Sequence, residues 1–133
     1  RGQVLFTDPI SNLPFQGTYH ADAGYLYSRN VGDRLLLGGG RNQFRAAEET
    51  HDAQTSDEVQ AYLENYLHTV LLPGFRVNIA ERWAGTMAFS SDQSKKPYLE
   101  DLGDQTYVAA RMGGMGVALA PELGLKMAAL LSA

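Results

Sequence analysis

The last 28 residues, 106–133, constrain the fold most, because they join a short strand to an apolar helix through a cluster of glycines. The strand is predicted over Thr106 to Ala110, and the cluster contains Gly113, Gly114 and Gly116. Glycines at such a junction let backbone N–H groups approach a ligand without interference from a Cβ atom. The helix that follows offers unpaired N–H donors and about half a positive charge at its N-terminus. This arrangement suits an anion or an electron-rich carbonyl.

A dinucleotide-binding strand–GxGxxG–helix is the obvious alternative for this segment. Counting from Gly114, however, the third glycine of that pattern is replaced by Leu119. Such a unit also needs a second strand and an acidic residue about 20 positions further on, and the sequence ends at Ala133. We therefore expect no pyrophosphate site here. A purely structural interpretation, in which the turn only caps a core helix, stays open.

Composition narrows the class of protein. The sequence has no cysteine, which excludes disulfides, thiolate metal sites and cysteine nucleophiles and is compatible with the reducing cytoplasm, where we expect the protein to lie. A formal net charge of −4 argues against a nucleic-acid-binding surface. No apolar run approaches the roughly 18 residues of a membrane span. The three histidines are far apart without metal-ligand spacing, so no metal site is predicted.

Local patterns predict an α+β fold with a mostly antiparallel sheet, one packed amphipathic helix and a C-terminal helix led by glycines. The amphipathic helix is predicted over 56–72, because apolar residues recur there every three or four positions. Thr55 and Glu58 fit the N-cap and N3 positions of a capping box. Short connections favour antiparallel pairing of strands near residues 3–7, 24–29, 34–38, 76–87 and 106–111.

Three further features follow from the same patterns. The polar residues 45–54 are predicted to form an exposed crossover, and Lys95 to Pro97 an exposed turn. In the strand predicted over 76–87, alternation places Val77, Ile79 and Trp83 on one face. Trp83 is therefore either a core anchor or a residue that faces a cofactor.

Four segments in a fixed order carry a resemblance to a known family. They are Arg1-Gly2-Gln3, Tyr25-Leu-Tyr27 with the paired strand Asp33 to Gly40, Glu81-Arg-Trp-Ala-Gly-Thr86, and the C-terminal glycine helix. Together they resemble the FAD-dependent oxidoreductases of the D-amino-acid oxidase superfamily, in the branch of glycine oxidase, sarcosine oxidase and D-amino-acid dehydrogenase. The resemblance covers nearly the whole chain, but only the C-terminal portion of such proteins.

The resemblance implies an enzyme that binds FAD and oxidises an amine or amino acid by hydride transfer to the flavin, without a protein nucleophile. It implies a substrate-side sheet and helix over about 1–105 and a flavin-capping strand, glycine turn and helix over about 106–133. The dinucleotide-binding half is absent from the sequence, which begins at Arg1 without an initiator methionine. We therefore expect a larger polypeptide, an inactive isolated piece that retains little FAD, and an apolar face that self-associates or meets the missing half.

The resemblance also implies two groups of cofactor-binding residues. Residues 112–117 would lie along the pyrimidine edge of the flavin, where N–H groups stabilise negative charge at N1 and the C2 carbonyl. A valine at position 116 is expected to block that contact and to demand an unfavourable backbone angle. Trp83 and Gly85 would line the wall beside the ring. The full predicted set is Trp83, Gly85, Met112, Gly113, Gly114, Met115, Gly116 and Val117.

The predicted substrate-binding residues are Tyr25, Tyr27, Met87 and Arg111. Glycine oxidase-like members hold the substrate carboxylate with one arginine soon after Trp-Ala-Gly and another in the glycine turn. Here those positions hold Met87 and Gly114, and Arg111 is the nearest substitute. An α-amino acid, a simple amine and a polyamine derivative therefore stay open as substrates, and no catalytic residue is assigned. The alternative function is a non-catalytic ligand-binding or assembly module with the same fold and no flavin.

Overall fold

The computed structural model describes residues 1–91, 94 and 96–132. Lys95, in the predicted exposed turn, lies outside the described residues. Two compact units make up the chain, residues 1–86 and residues 87–133. Among the helices of the described residues, none is long and apolar enough to cross a membrane. The same residues contain no group of three or more histidine and carboxylate side chains that could hold a metal ion.

The first unit contains a five-stranded sheet whose neighbouring strands are all antiparallel. The spatial order is β2-β3-β4-β1-β5, so that β5 and β2 form the edges. This confirms the predicted antiparallel pairing and four of the five predicted strands. The edge strand β2 was not predicted, and the strand predicted near 106–111 belongs to a separate two-stranded sheet. The strands are β1 (Gly2–Thr7), β2 (Thr18–Ala21), β3 (Leu26–Val31), β4 (Arg34–Gly39) and β5 (Ile79–Gly85).

The predicted amphipathic helix is confirmed as α2 (Asp57–Tyr66), which continues into a π-helical turn, Leu67–Leu71. Its N-cap is Ser56 rather than Thr55, and the cap makes no side-chain hydrogen bond within the helix. The predicted capping box is wrong, because the N-cap residue forms its hydrogen bonds with Gln3 of β1. The Ser56 N–H donates to Gln3 Oε1 at 3.0 Å, and Gln3 Nε2 donates to Ser56 Oγ at 2.9 Å.

The core lies between the sheet and α2. Leu5, Leu35 and Leu37 from the strands pack with Val59 and Leu63 from the helix, and all are buried. Leu35 and Leu37 alternate with more exposed neighbours, as expected for a strand with one buried face. Burial of side chains of this size stabilises the fold by about 1.5–3 kcal/mol each. The opposite sheet face carries partly exposed side chains.

A bulge in β5 overturns the predicted alternation. Phe6 pairs with Glu81 but Thr7 pairs with Ile79, so that Ala80 is an extra residue in the strand. The bulge reverses the facing of side chains on its two sides. Ile79 therefore packs against the core, whereas Trp83 lies on the opposite face and is 43% exposed. Trp83 is not a core anchor.

The predicted exposed crossover over 45–54 is only partly correct. A short helix, α1 (Arg45–Glu48), forms there, and Glu48 is 4% exposed. Its carboxylate is paired with Arg1 at 2.6 Å and accepts a hydrogen bond from Gln3. A buried carboxylate in a polar stretch cannot be recognised locally, since its partners, Arg1 and Gln3, lie more than 40 residues away in the sequence.

The second unit contains a hairpin and the C-terminal helix. Strands β6 (Tyr98–Asp101) and β7 (Tyr107–Ala110) pair antiparallel, and α3 (Gly116–Leu131) follows the glycine turn. The strand and helix predicted here are confirmed, whereas β6 was not predicted. Leu123 is buried, but Val117, Leu125 and Leu131 are exposed. The helix therefore presents an apolar surface.

Candidate functional site

A row of four residues crosses the sheet face opposite α2. Tyr27 pairs with Gly38, Gly38 with Val4, and Val4 with Trp83, on four neighbouring strands. Directly paired residues of antiparallel strands point to the same face. Tyr27 and Trp83 are 36% and 43% exposed, while Val4 between them is buried. The row is therefore a shallow apolar platform with an aromatic side chain at each end, and we call it the aromatic platform.

The absence of a side chain at Gly38 lets Val4 and Tyr27 of the aromatic platform pack close together. A Cβ atom at this position would lie 2.4 Å from Val4 Cγ1 and 2.6 Å from ring atoms of Tyr27. The tyrosine ring therefore lies directly over the glycine. The next glycine, Gly39, has a φ of 117°, and its Cβ would lie 1.9 Å from the carbonyl oxygen of Tyr25. The close approach of β3 to the end of β4 depends on both missing side chains.

Arg41 follows these glycines and reaches the two tyrosines that were predicted to bind substrate. Its guanidinium carbon lies 5.8 Å from the centre of the Tyr25 ring. Burial raises the pKa of the Tyr27 hydroxyl, and the positive charge of Arg41 lowers that pKa by a smaller amount. Tyr27 is thus a protonated hydrogen-bond donor at neutral pH, beside a cation. Sequence reasoning missed Arg41, although it is the cation directly after three glycines.

At the other end of the platform, Gly85 follows Trp83 in β5. Gly85 pairs with Gly2, and a Cβ atom built on it would meet no heavy atom within 4 Å. Packing therefore does not require a glycine at this position, in contrast to Gly38. A bare backbone beside an exposed indole leaves room for a flat ligand to approach.

In the second unit, the glycine turn lies between β7 and α3. Arg111, Gly113 and Gly114 have φ values of 61°, 55° and 83°. A Cβ atom at Gly114 would lie 3.0 Å from Met87 Sδ. Met87 and Gly114, which occupy the two positions of the carboxylate-binding arginines implied by the resemblance, are therefore close together.

Gly116 differs from the other two glycines of the cluster. It is the first residue of α3, and its φ lies outside the left-handed region. A Cβ atom there would lie 3.6 Å from Met112 Sδ, which is an ordinary contact. The expectation that a side chain at position 116 demands an unfavourable backbone angle is therefore wrong. Gly113 and Gly114 carry that requirement instead.

The start of α3 offers backbone N–H donors to a ligand. The N–H groups of Gly116 and Val117 stand in its first turn, where the helix itself offers no acceptor. Met115 and Val117 have exposed side chains, the latter 98% exposed. The donors are therefore open to a ligand, and the positive end of the helix dipole favours negative charge there. Residues 112–117 could hold the pyrimidine edge of FAD.

Arg111 forms hydrogen bonds with other residues of the second unit. Its Nε and Nη2 donate to the carbonyl oxygen of Lys96 at 3.3 Å and 3.0 Å, and its Nη1 donates to Ser90 Oγ at 3.1 Å. The guanidinium carbon lies 5.7 Å from the centre of the Tyr98 ring. These contacts hold the segment before β6 against the end of β7. A role of Arg111 in substrate binding stays a prediction.

Comparison with known proteins gives the class. The chain belongs to the FAD dependent oxidoreductase (DAO) family, whose model matches residues 1–130. Among solved structures, the L-proline dehydrogenase from P. horikoshii is similar, with a TM-score of 0.70 and 20% sequence identity. The match covers 92% of this chain but 32% of that protein, so the chain spans about a third of its length. At this identity the likeness shows a shared fold. No curated protein matches the sequence.

Proposed function

We propose that the chain is the substrate-binding and flavin-capping part of an FAD-dependent oxidoreductase that oxidises an amine or amino acid. When bound, FAD supplies the hydride acceptor for the carbon that bears the amine. The aromatic platform carries the proposal, because it is an open sheet face with a tyrosine at one end and a tryptophan at the other. Membership of the DAO family supports it.

Each predicted cofactor residue has a physical role in this proposal. The N–H groups at the start of α3 bind the pyrimidine edge, and the helix dipole stabilises negative charge there. Gly113 and Gly114 shape the turn that presents those donors. Trp83 packs against the ring, and Gly85 keeps the adjoining backbone free of side chains. The proposed reaction requires no protein nucleophile.

The substrate is proposed to carry a carboxylate. Arg41 brings a guanidinium to Tyr25 and Tyr27, and guanidinium groups bind carboxylates in two-point hydrogen bonds. Tyr27 adds a hydroxyl donor, and burial raises its pKa further above neutral. Arg41 would thus supply the charge that Met87 and Gly114 do not. An amino acid is favoured over a simple amine.

The rest of the polypeptide is proposed to supply dinucleotide binding and to cover α3. Residues up to about 105 would then form the substrate side, and residues 106–133 the flavin cap. The exposed apolar residues Val117, Leu125 and Leu131 suit such an interface, and their self-association is expected when that cover is missing. A location in the cytoplasm stays a prediction.

The test uses the complete polypeptide that carries this chain. Its absorbance in the near-ultraviolet and blue is measured first. The protein is then mixed under anaerobic conditions with L- and D-amino acids, their N-methyl derivatives and the matching decarboxylated amines. We expect a yellow protein that is bleached by a compound with a carboxylate and not by its decarboxylated partner. A yellow protein that no amine bleaches would overturn the proposed reaction. A colourless protein would favour the non-catalytic module.

A further inference from the structure

A continuous chain of hydrogen bonds runs from α1 to β5 through the space between the sheet and α2. Gln3 Nε2 donates to Glu48 Oε1 at 2.9 Å, and Gln60 Nε2 donates to Gln3 Oε1 at 3.2 Å. Arg82 Nη1 donates to Gln60 Oε1 at 2.8 Å, and Arg82 Nη2 is paired with Glu64 Oε1 at 2.8 Å. We call these five residues the polar tie.

Three members of the polar tie are deeply buried: Gln3 is 0%, Glu48 4% and Gln60 5% exposed. A buried amide or carboxylate is costly unless its hydrogen bonds are made. Here each side chain has its partner in the tie, and Arg1 balances the charge of Glu48. A fully satisfied buried network fixes one arrangement of the elements that it joins. The tie therefore adds a specific contact between β5 and α2 to the ladder that β5 forms with β1.

Strand β5 needs such a fixing point, because it forms an edge of the sheet and pairs with β1. The side chain of Arg82 lies on the helix face, opposite Leu5, and reaches Gln60 and Glu64. The next residue along the strand is Trp83, which points to the other face as part of the aromatic platform. A shift of the strand at Arg82 would move the indole.

One side of the Trp83 indole is open. A cavity of about 390 Å³ opens at this edge and is lined by Ala53, Gln54, Thr55, Arg82, Trp83 and Ala84. Trp83 is therefore not enclosed by its neighbours on this side. Besides the packing of Ile79 against the core, the hydrogen bonds of Arg82 connect β5 with α2.

We propose that Arg82 is a positioning residue, which Gln60 and Glu64 hold so that edge strand β5 fixes the orientation of Trp83 on the aromatic platform. The consequence for flavin rests on the proposed function, in which Trp83 packs against the ring. The effect on Trp83 itself does not depend on flavin.

The test follows Trp83 by ¹⁹F NMR in the complete polypeptide labelled with 5-fluorotryptophan, with the resonance assigned by its loss in Trp83→Phe. Gln60→Leu removes the acceptor for Arg82, and Arg82→Lys keeps a cation for Glu64 but gives up the forked contact. Both variants are expected to shift or broaden the Trp83 resonance in folded protein. Glu58→Gln, on an exposed side chain of the same helix, is the matched control and is expected to leave it unchanged.

The outcomes separate a positioning role from a structural one. If Gln60→Leu does not fold, Arg82→Lys and Glu64→Gln, at partly exposed positions, give the result. Folded variants with a lower Tm and an unchanged Trp83 resonance would overturn the proposal. A shifted resonance supports it, and a parallel change in the visible spectrum of bound flavin supports the proposed function too. A shifted resonance with an unchanged flavin spectrum would support the positioning role and contradict the flavin contact of Trp83.

Discussion

At the scale of single residues, the structure separates glycines that the fold needs from a glycine that it does not need. Gly38 lies beneath the ring of Tyr27, so any side chain there must displace the tyrosine or Val4. Gly85, at the other end of the platform, faces open space. The same residue type therefore has a packing role at one position and a proposed ligand-binding role at the other.

This contrast gives a matched pair of variants. Gly38→Ala overfills the platform and is expected to destabilise the protein by about 1–3 kcal/mol, with a clear fall in Tm. Gly85→Ala is expected to leave Tm unchanged and to lower the amount of bound FAD. Thermal unfolding and the ratio of flavin to protein absorbance check both. Equal effects of the two variants on Tm would contradict the difference in packing.

The proposed preference for a substrate with a carboxylate depends on Arg41. Arg41→Met removes the guanidinium and is expected to raise KM for the carboxylate-bearing substrate by about 10-fold or more, since a charge-assisted hydrogen bond contributes about 1.5–3 kcal/mol. Steady-state kinetics on the complete enzyme measure this. Arg29→Met is the control, because Arg29 is an exposed cation next along the same face of β3. A rise in KM that is equal in both variants would point to general charge rather than to a specific contact.

At the scale of elements, the glycines in the turn between β7 and α3 differ in their backbone angles and in the space around them. Gly113 and Gly114 have left-handed backbone angles, whereas Gly116 has a helical one and space for a Cβ atom. A substitution at position 116 can therefore probe ligand binding without breaking the turn. The same is not true of Gly114, where Met87 Sδ would be 3.0 Å from the new Cβ.

Gly116→Val is expected to lower flavin content, or to destabilise the reduced flavin, while the turn and α2 remain folded. The reason is steric crowding of the proposed flavin edge and not backbone strain. Circular dichroism, FAD content and the rate of anaerobic reduction test it. Unchanged FAD content and an unchanged reduction rate would mean that the glycine cluster is only a turn.

The sequence was sufficient for elements whose signal is local. The three- and four-residue spacing in 56–72 predicted α2, and glycines after a short predicted strand predicted the turn before α3. What it could not show depends on partners far along the chain. The bulge at Ala80 is visible only against β1, the cap of α2 comes from Gln3, and Glu48 is buried by Arg1 and Gln3. Arg41 was missed because its two tyrosines precede it on another strand.

At the scale of the whole molecule, the exposed apolar surface of α3 is the feature that favours an interface. The helix is apolar along most of its length, and its residues Val117, Leu125 and Leu131 are exposed. An exposed surface of this kind is rare unless it forms an interface. We expect residues 1–133 alone to self-associate and to bind FAD weakly, as measured by light scattering and by titration with FAD.

The matched variant for that prediction is Leu125→Lys, which places a charge on the exposed face of α3 and is expected to reduce self-association. Its secondary structure should remain unchanged, because Leu125 is exposed. A monomer at high concentration for the unsubstituted chain would contradict the interface. FAD binding in the micromolar range by residues 1–133 would contradict the expected need for the rest of the polypeptide.

In the proposed function, the start of α3, Trp83 and Gly85 all contact flavin. Hydrogen–deuterium exchange of the complete polypeptide, with and without FAD, tests it most directly. We expect slower exchange on FAD binding in peptides that cover residues 112–118 and 83–86, and no change in the π-helical turn that follows α2. Unchanged exchange at 112–118 and 83–86, with protection confined to other parts of the polypeptide, would contradict it.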